Sequence, residues 1–152
     1  MLKITALLLA AGLVLAGSGL ALAKSTKSTF MLLCGCGCDY MEMDVQYGSQ
    51  ARHMETNFGN YPTVSFSHAA YLLKHKQRDY KVNIWTISPG AKKQLLSANV
   101  TIENYYDTKP RVTNCRVSYD VKGADWANCD CGNTGGSNIT VRCGSADCGC
   151  SR

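Results

Sequence analysis

Apolar residues recur along this chain with two different periods, and each period predicts a different element. Met41, Met43, Val45 and Tyr47 alternate with Glu42, Asp44 and Gln46, the period of two that marks a strand with one buried face. Gly48 ends it. Tyr80, Val82, Ile84 and Thr86 alternate with Lys81, Asn83 and Trp85 in a second strand, which Ser88-Pro89-Gly90 stops. Val100, Ile102 and Asn104 alternate with Thr101, Glu103 and Tyr105, and the turn Asp107-Thr108-Lys109-Pro110 follows. Arg111 to Val121 then carries Cys115, Val117, Tyr119 and Val121 on one face. These last two runs predict a hairpin with a four-residue connection. A glycine-rich turn, Gly132 to Ser137, leads into a strand over Asn138 to Cys143.

Helical spacing appears twice. Phe66, Ala69, Ala70 and Leu73 fall on one stripe while Lys74, His75 and Arg78 lie away from it. This predicts a helix from Ser67, as N-cap, to about Gln77. Ala91 to Ala98 reads as a second short helix carrying Leu95 and Leu96. Ser49 to Pro62 is mostly loop, with Gly59-Asn60-Tyr61-Pro62 as a turn. The duplicated Lys-Ser-Thr triplet of Lys24 to Thr29 and the residues after it, 24–33, read as a flexible tail. The expected class is therefore α+β: a small disulfide-rich domain dominated by antiparallel sheet, with one or two short helices, over residues 34–152.

The first 23 residues have the makings of a secretory signal peptide. Lys3 gives a positive start, Ile4 to Leu22 is apolar or small, and Ala21-Leu22-Ala23 is a cleavage site. The expected product starts at Lys24 and is secreted and extracellular. That compartment governs the reading of the nine cysteines. Cys34, Cys36 and Cys38 form one cluster, and Cys115, Cys129, Cys131, Cys143, Cys148 and Cys150 form the other. Export favours disulfides. A Cys-x-Cys pair is poorly placed to bridge internally, so the first cluster is expected to reach the second. Such bridges close loops of about 80 to 115 residues, each worth about 4–5 kcal/mol in the chain-entropy model. Nine is odd, so one cysteine is unpaired or intermolecular, which allows a disulfide-linked homodimer.

The tracts Cys34-x-Cys36-x-Cys38, Cys129-x-Cys131 and Cys148-x-Cys150 resemble the thiolate spacing of metallothionein-like clusters. Such clusters need little core, whereas this chain has eight Tyr, two Trp and three Phe. No metal site and no cofactor is expected.

Candidate chemistry is sparse. The weak catalytic candidates are His68 and His75, which share a face of the proposed helix with Tyr71. With Lys74, Lys76 and Arg78 nearby they make an acid, a base and a phosphate clamp, as a small secreted ribonuclease requires. The same residues also describe a solvated basic helix face. Glu55 and Glu103 are the remaining candidates, each with an ordinary surface explanation. Nucleophile-elbow, zincin and phosphate-loop motifs are missing from the sequence.

The formal charge is +5, a mild excess that does not by itself point to nucleic acid. Its concentration matters more. Lys74, Lys76, Arg78, Lys81, Lys92 and Lys93 lie close in sequence with Trp85 among them, and form the expected binding surface together with Trp126 in the segment Gly123–Ser137. Asn99 and Asn138 head glycosylation sequons, meaningful in a eukaryotic host. The expected function is a secreted, cysteine-rich, non-catalytic binding protein of toxin, effector or defence type. Its expected partner is an extracellular protein, a glycan or an anionic membrane surface, with no specific nucleic acid. A small hydrolase using His68 and His75 is the alternative, and a disulfide-linked structural subunit the second.

Overall fold

Period-two alternation extends well beyond the segments where it is obvious. The computed structural model describes residues 24–35, 38–57, 59–69, 74–88, 91–123 and 127–145. The expected signal peptide, Cys36, Tyr71, Trp126, Cys148 and Cys150 lie outside them. The described residues form strands and no helix: β1 (Ser25–Leu33), β2 (Tyr40–Tyr47), β3 (Gln50–Asn57), β4 (Thr63–Ala69), β5 (His75–Ser88), β6 (Ala91–Tyr106), β7 (Pro110–Lys122), β8 (Ala127–Cys131) and β9 (Asn138–Ser145). One sheet has the order β4-β1-β9-β8, the other β3-β2-β5-β6-β7. Every pairing is antiparallel except β1 with β9.

The two sheets bury their inner faces against each other. Phe30 and Leu32 of β1 are fully buried, as are Met41, Met43 and Val45 of β2, Val82 and Ile84 of β5, and Val100 and Ile102 of β6. The Phe30 ring lies 5.0 Å from that of Tyr80, and Phe66 of β4 packs edge-on at 5.4 Å from the same ring. Each such side chain contributes about 1.5–3 kcal/mol of hydrophobic burial. The outer face of the larger sheet is polar, as one-sided antiparallel sheets are.

The α+β expectation is therefore corrected to all-β among the described residues. The helix expected from Ser67 to Gln77 gives way to the end of β4 and the start of β5, with residues 70–73 outside the description. Pairing of Thr63–Ala69 with β1 overrides the helical preference of a short alanine-containing stretch. Ala91 to Ala98 lies in β6, and its misleading pattern has a local cause. Ile84 pairs with Leu96 but Trp85 pairs with Gln94, so Leu95 is the extra residue of a β-bulge. The bulge lets the consecutive Leu95 and Leu96 both be buried, which mimics a helical face.

Residues 24–33, expected as a tail, hold β1, which sits inside its sheet between β4 and β9. Its inward residues Thr26 and Ser28 are buried and polar, so no apolar alternation announces the strand. Much of the expected loop Ser49–Pro62 is β3, joined to β2 by the two-residue turn Gly48-Ser49. Gly48 has φ +55° there, a conformation that favours glycine.

The cysteine pairing is also corrected for Cys34 and Cys38, while Cys36, Cys148 and Cys150 lie outside the described residues. Cys34 bonds Cys38, Cys115 bonds Cys131 and Cys129 bonds Cys143. Cys34 and Cys38 thus close on each other across three intervening residues rather than reaching the second cluster. Among the described residues the pairing of front and back is done by backbone. β1 runs parallel to β9 from Lys27 opposite Asn138 to Leu33 opposite Gly144. Gly144 has φ +119°, and a Cβ there would run into the Leu33 carbonyl, so the close approach of the two chain ends requires glycine.

Candidate functional site

Strand alternation disperses the expected basic surface. Inward-facing Arg78 is buried beside Tyr80, whereas Lys81 and Trp85 occupy the opposite, outer face of β5. Lys92 pairs with Glu42 at 2.6 Å and lies over the Trp85 ring, 4.6 Å from its centroid. Lys93, Lys74 and Lys76 are exposed but do not join that pair. Asn99 donates to Asp120 at 2.9 Å, Asn138 is exposed at the start of β9, and Glu103 pairs with Arg116 at 3.0 Å.

The two histidines separate as well. His75 is exposed at the start of β5, opposite Tyr105. His68 belongs to β4 in the other sheet and turns inward. Its Nε2 lies 2.8 Å from the Tyr80 hydroxyl, which donates to Ser28 Oγ at 3.1 Å. With Tyr80 donating to Ser28, the neutral imidazole donates through Nε2–H.

Around this pair lies a polar cluster set into the core. Arg78 donates to Thr26 Oγ1 at 2.8 Å, and the Tyr47 ring stands 4.8 Å from His68 and 5.0 Å from Tyr80. Burial, with a smaller push from the Arg78 charge, lowers His68 to about 4. Burial raises Tyr80 to about 12, opposed in part by its bond to Ser28 and by Arg78. Both groups are neutral at pH 7, and no carboxylate among the described residues pairs with Arg78. The cluster satisfies buried polar groups and ties β4, β1 and β5 together; it holds no activated nucleophile.

A groove opens elsewhere, at the end of the β2–β3 hairpin. It encloses about 430 Å³ and is lined by Tyr40, Glu55, Thr56, Asn57, Asn60, Tyr61 and Pro62. Tyr40 begins β2 and its hydroxyl donates to Glu55 Oε2 of β3 at 2.5 Å. That bond, then burial and the carboxylate charge, push the Tyr40 hydroxyl up to about 12, so it stays protonated and donating. Next to it, the bond from Lys92 holds Glu42 below the ordinary carboxylate value.

Local bonds fix the far wall. Asn60 N donates to Asn57 O at 3.1 Å, Thr56 Oγ1 to Asn60 O at 2.7 Å, and Leu32 N to Pro62 O at 3.0 Å. Gly59, with φ +83°, donates its N–H to Cys34 O at 3.2 Å. Cys34 is held in turn by its bond to Cys38, just ahead of Tyr40. The Cys34–Cys38 bond thus braces the groove through Gly59.

Of these lining residues, sequence reasoning singled out Glu55 alone. For Asn60, Tyr61 and Pro62 the signal is the turn Gly59-Asn60-Tyr61-Pro62, with amide and aromatic side chains that the turn itself does not require; Tyr40, Thr56 and Asn57 carry no such signal. Searches for similar proteins found no match among protein-family models, curated proteins or solved structures.

Proposed function

We propose that the chain is exported and acts as an extracellular binding protein with no catalytic chemistry of its own, of the effector or defence type. The observation that carries this reading is the groove beside the β2–β3 hairpin. It is a concave site of about 430 Å³, within the roughly 300–1,000 Å³ of small-ligand sites, braced by a disulfide and short-range hydrogen bonds. Preorganised walls lower the ordering cost of binding. Secretion is supported by the signal-like first 23 residues together with the disulfides.

The hydrolase alternative finds less support, because His68 and His75 stand on different sheets and His68 is neutral and committed to Tyr80. The test is direct. Purified oxidised protein is titrated against immobilised glycans, phosphatidylserine vesicles and extracellular proteins, and is assayed on RNA in parallel. Saturable binding to one class without turnover is the expected result. RNA cleavage, or saturable binding to none of the three, contradicts the reading.

A further inference from the structure

The chemistry of the groove narrows its ligand. Among the described residues no lysine or arginine lines it, so none of them compensates a phosphate or sulfate there. Pro62 is its one aliphatic lining residue among the described residues, so a purely apolar ligand would leave most of that wall unpaired, at a cost for each polar group dried out. What remains is neutral and hydrogen-bonding. The side-chain amides of Asn57 and Asn60 take no hydrogen bond among the described residues, and each offers donors and an acceptor. Both are exposed toward solvent.

Two phenol rings, Tyr40 and Tyr61, line the same groove as these amides. Tyr61 is 53 % exposed, although such a ring is normally enriched at contact surfaces rather than left bare. Among the described lining residues the only charge is Glu55, and one of its oxygens already accepts from Tyr40 at 2.5 Å. Its second oxygen remains as an acceptor. An organic cation would use the rings and Glu55 but leave both amides idle. A ring-shaped polyhydroxyl compound uses all of them, its C–H face against a phenol ring and its hydroxyls on the amides and the carboxylate.

We propose that this groove is a saccharide site, taking a neutral sugar unit of an extracellular glycan against Tyr61 with its hydroxyls bonded by Asn57, Asn60 and Glu55. The proposal rests on the binding-protein reading and specifies its ligand class. The rigid turn matters to it. Thr56 and Cys34 hold the backbone of Gly59 and Asn60 in place, so a sugar meets walls that need no reordering.

The experiment uses the full oxidised protein and immobilised neutral oligosaccharides of glucose, mannose, galactose and N-acetylglucosamine, with heparin and phosphatidylserine vesicles as charged counterparts. Tyr61→Ala and Asn57→Ala are titrated beside the wild type. Tyr61 lies outside the core, and unchanged near-ultraviolet circular dichroism confirms folding of each variant. The expected result is binding to a neutral oligosaccharide that weakens at least about tenfold in each variant, as for central contact residues. Tyr61→Phe, which keeps the ring, retains most of the affinity. If the wild type prefers heparin or vesicles, or both alanine variants bind as the wild type does, the saccharide site is overturned while the binding-protein reading stands. RNA turnover, or no saturable partner of any kind, overturns both.

Discussion

Cys115 of β7 and Cys131 of β8 are bonded across the two sheets, with their Cα atoms 6.0 Å apart. Tyr119, on the same strand as Cys115, reinforces the crossing. Its hydroxyl accepts from Cys129 N at 3.0 Å and donates to Cys129 O at 3.1 Å. Edge strands of a sandwich have one neighbour each, so a covalent tie between β7 and β8 closes a side that hydrogen bonding alone leaves open. The bond spans a sequence separation of 16, and the chain-entropy model gives a loop of that size about 3 kcal/mol. The double variant Cys115→Ala, Cys131→Ala is expected to lose about 2–4 kcal/mol of unfolding free energy. Urea unfolding of the variant beside the wild type measures this, and an unchanged midpoint contradicts it.

His68 gives the fold a pH dependence of definite sign. Burial and Arg78 lower it to about 4 from an ordinary 6.5, with Tyr80 and Tyr47 packed on its other sides. Between those values the unfolded chain holds a proton that the folded chain does not. Stability from this group is therefore fully present above about pH 6.5 and is lost as pH falls toward 4. Urea unfolding at several pH values between about 4 and 7 reads this slope directly. In His68→Gln, which keeps an N–H toward Tyr80, the slope over that window is expected to be shallower. An equal slope in both proteins assigns it to other groups.

Asn104 is a buried amide with neither its nitrogen nor its oxygen hydrogen-bonded among the described residues. It faces inward on β6, opposite Val112 of β7. A dried, unpaired polar group costs about 1–3 kcal/mol, and an apolar group of similar shape removes that cost. Asn104→Leu is expected to raise the thermal midpoint, with the unfolding free energy higher by about 1–3 kcal/mol. A lower midpoint would mean that the amide has a partner.

Much of the larger sheet is legible in the sequence, and far less of the smaller one. In β2 and β5 every inward residue from Met41 to Val45 and from Tyr80 to Ile84 is apolar or aromatic, so the pleat writes itself into the composition. In β1 the same pleat is hidden. Thr26 and Ser28 point inward because Arg78 and Tyr80 need their hydroxyls, and those partners are 52 residues away. Bulges erase the pattern in β6 and β7. Leu95 is inserted in one strand, and Asp120 in the other, since Tyr119 pairs with Ala98 but Val121 with Ser97. Past that point Val121 is 45 % exposed, although its spacing places it with Cys115, Val117 and Tyr119.

The proposed binding surface is harder to read for a related reason. A run of basic residues looks like one patch along the chain, but a strand deals successive side chains to opposite faces. Arg78 goes into the core and Lys81 to the outside. The groove, by contrast, is assembled from two strand ends and a turn, so its aromatic and amide residues carry no periodic signature. Cys34 and Cys38 show the same limit. Cys129 and Cys131 do bond elsewhere rather than to each other, but poor Cys-x-Cys geometry leaves open a bond with three intervening residues, as between Cys34 and Cys38.

The pairing of the cysteines decides most directly whether this account is right, because it fixes both the closure of the sandwich and the bracing of the groove. Non-reduced protein is cleaved, including before Asp130 to separate Cys129 from Cys131, and its linked peptides are identified by mass spectrometry. The predicted bonds are Cys34 to Cys38, Cys115 to Cys131 and Cys129 to Cys143. Finding Cys34 or Cys38 joined to any of those four C-terminal cysteines, or finding the six reduced in native material, contradicts the account.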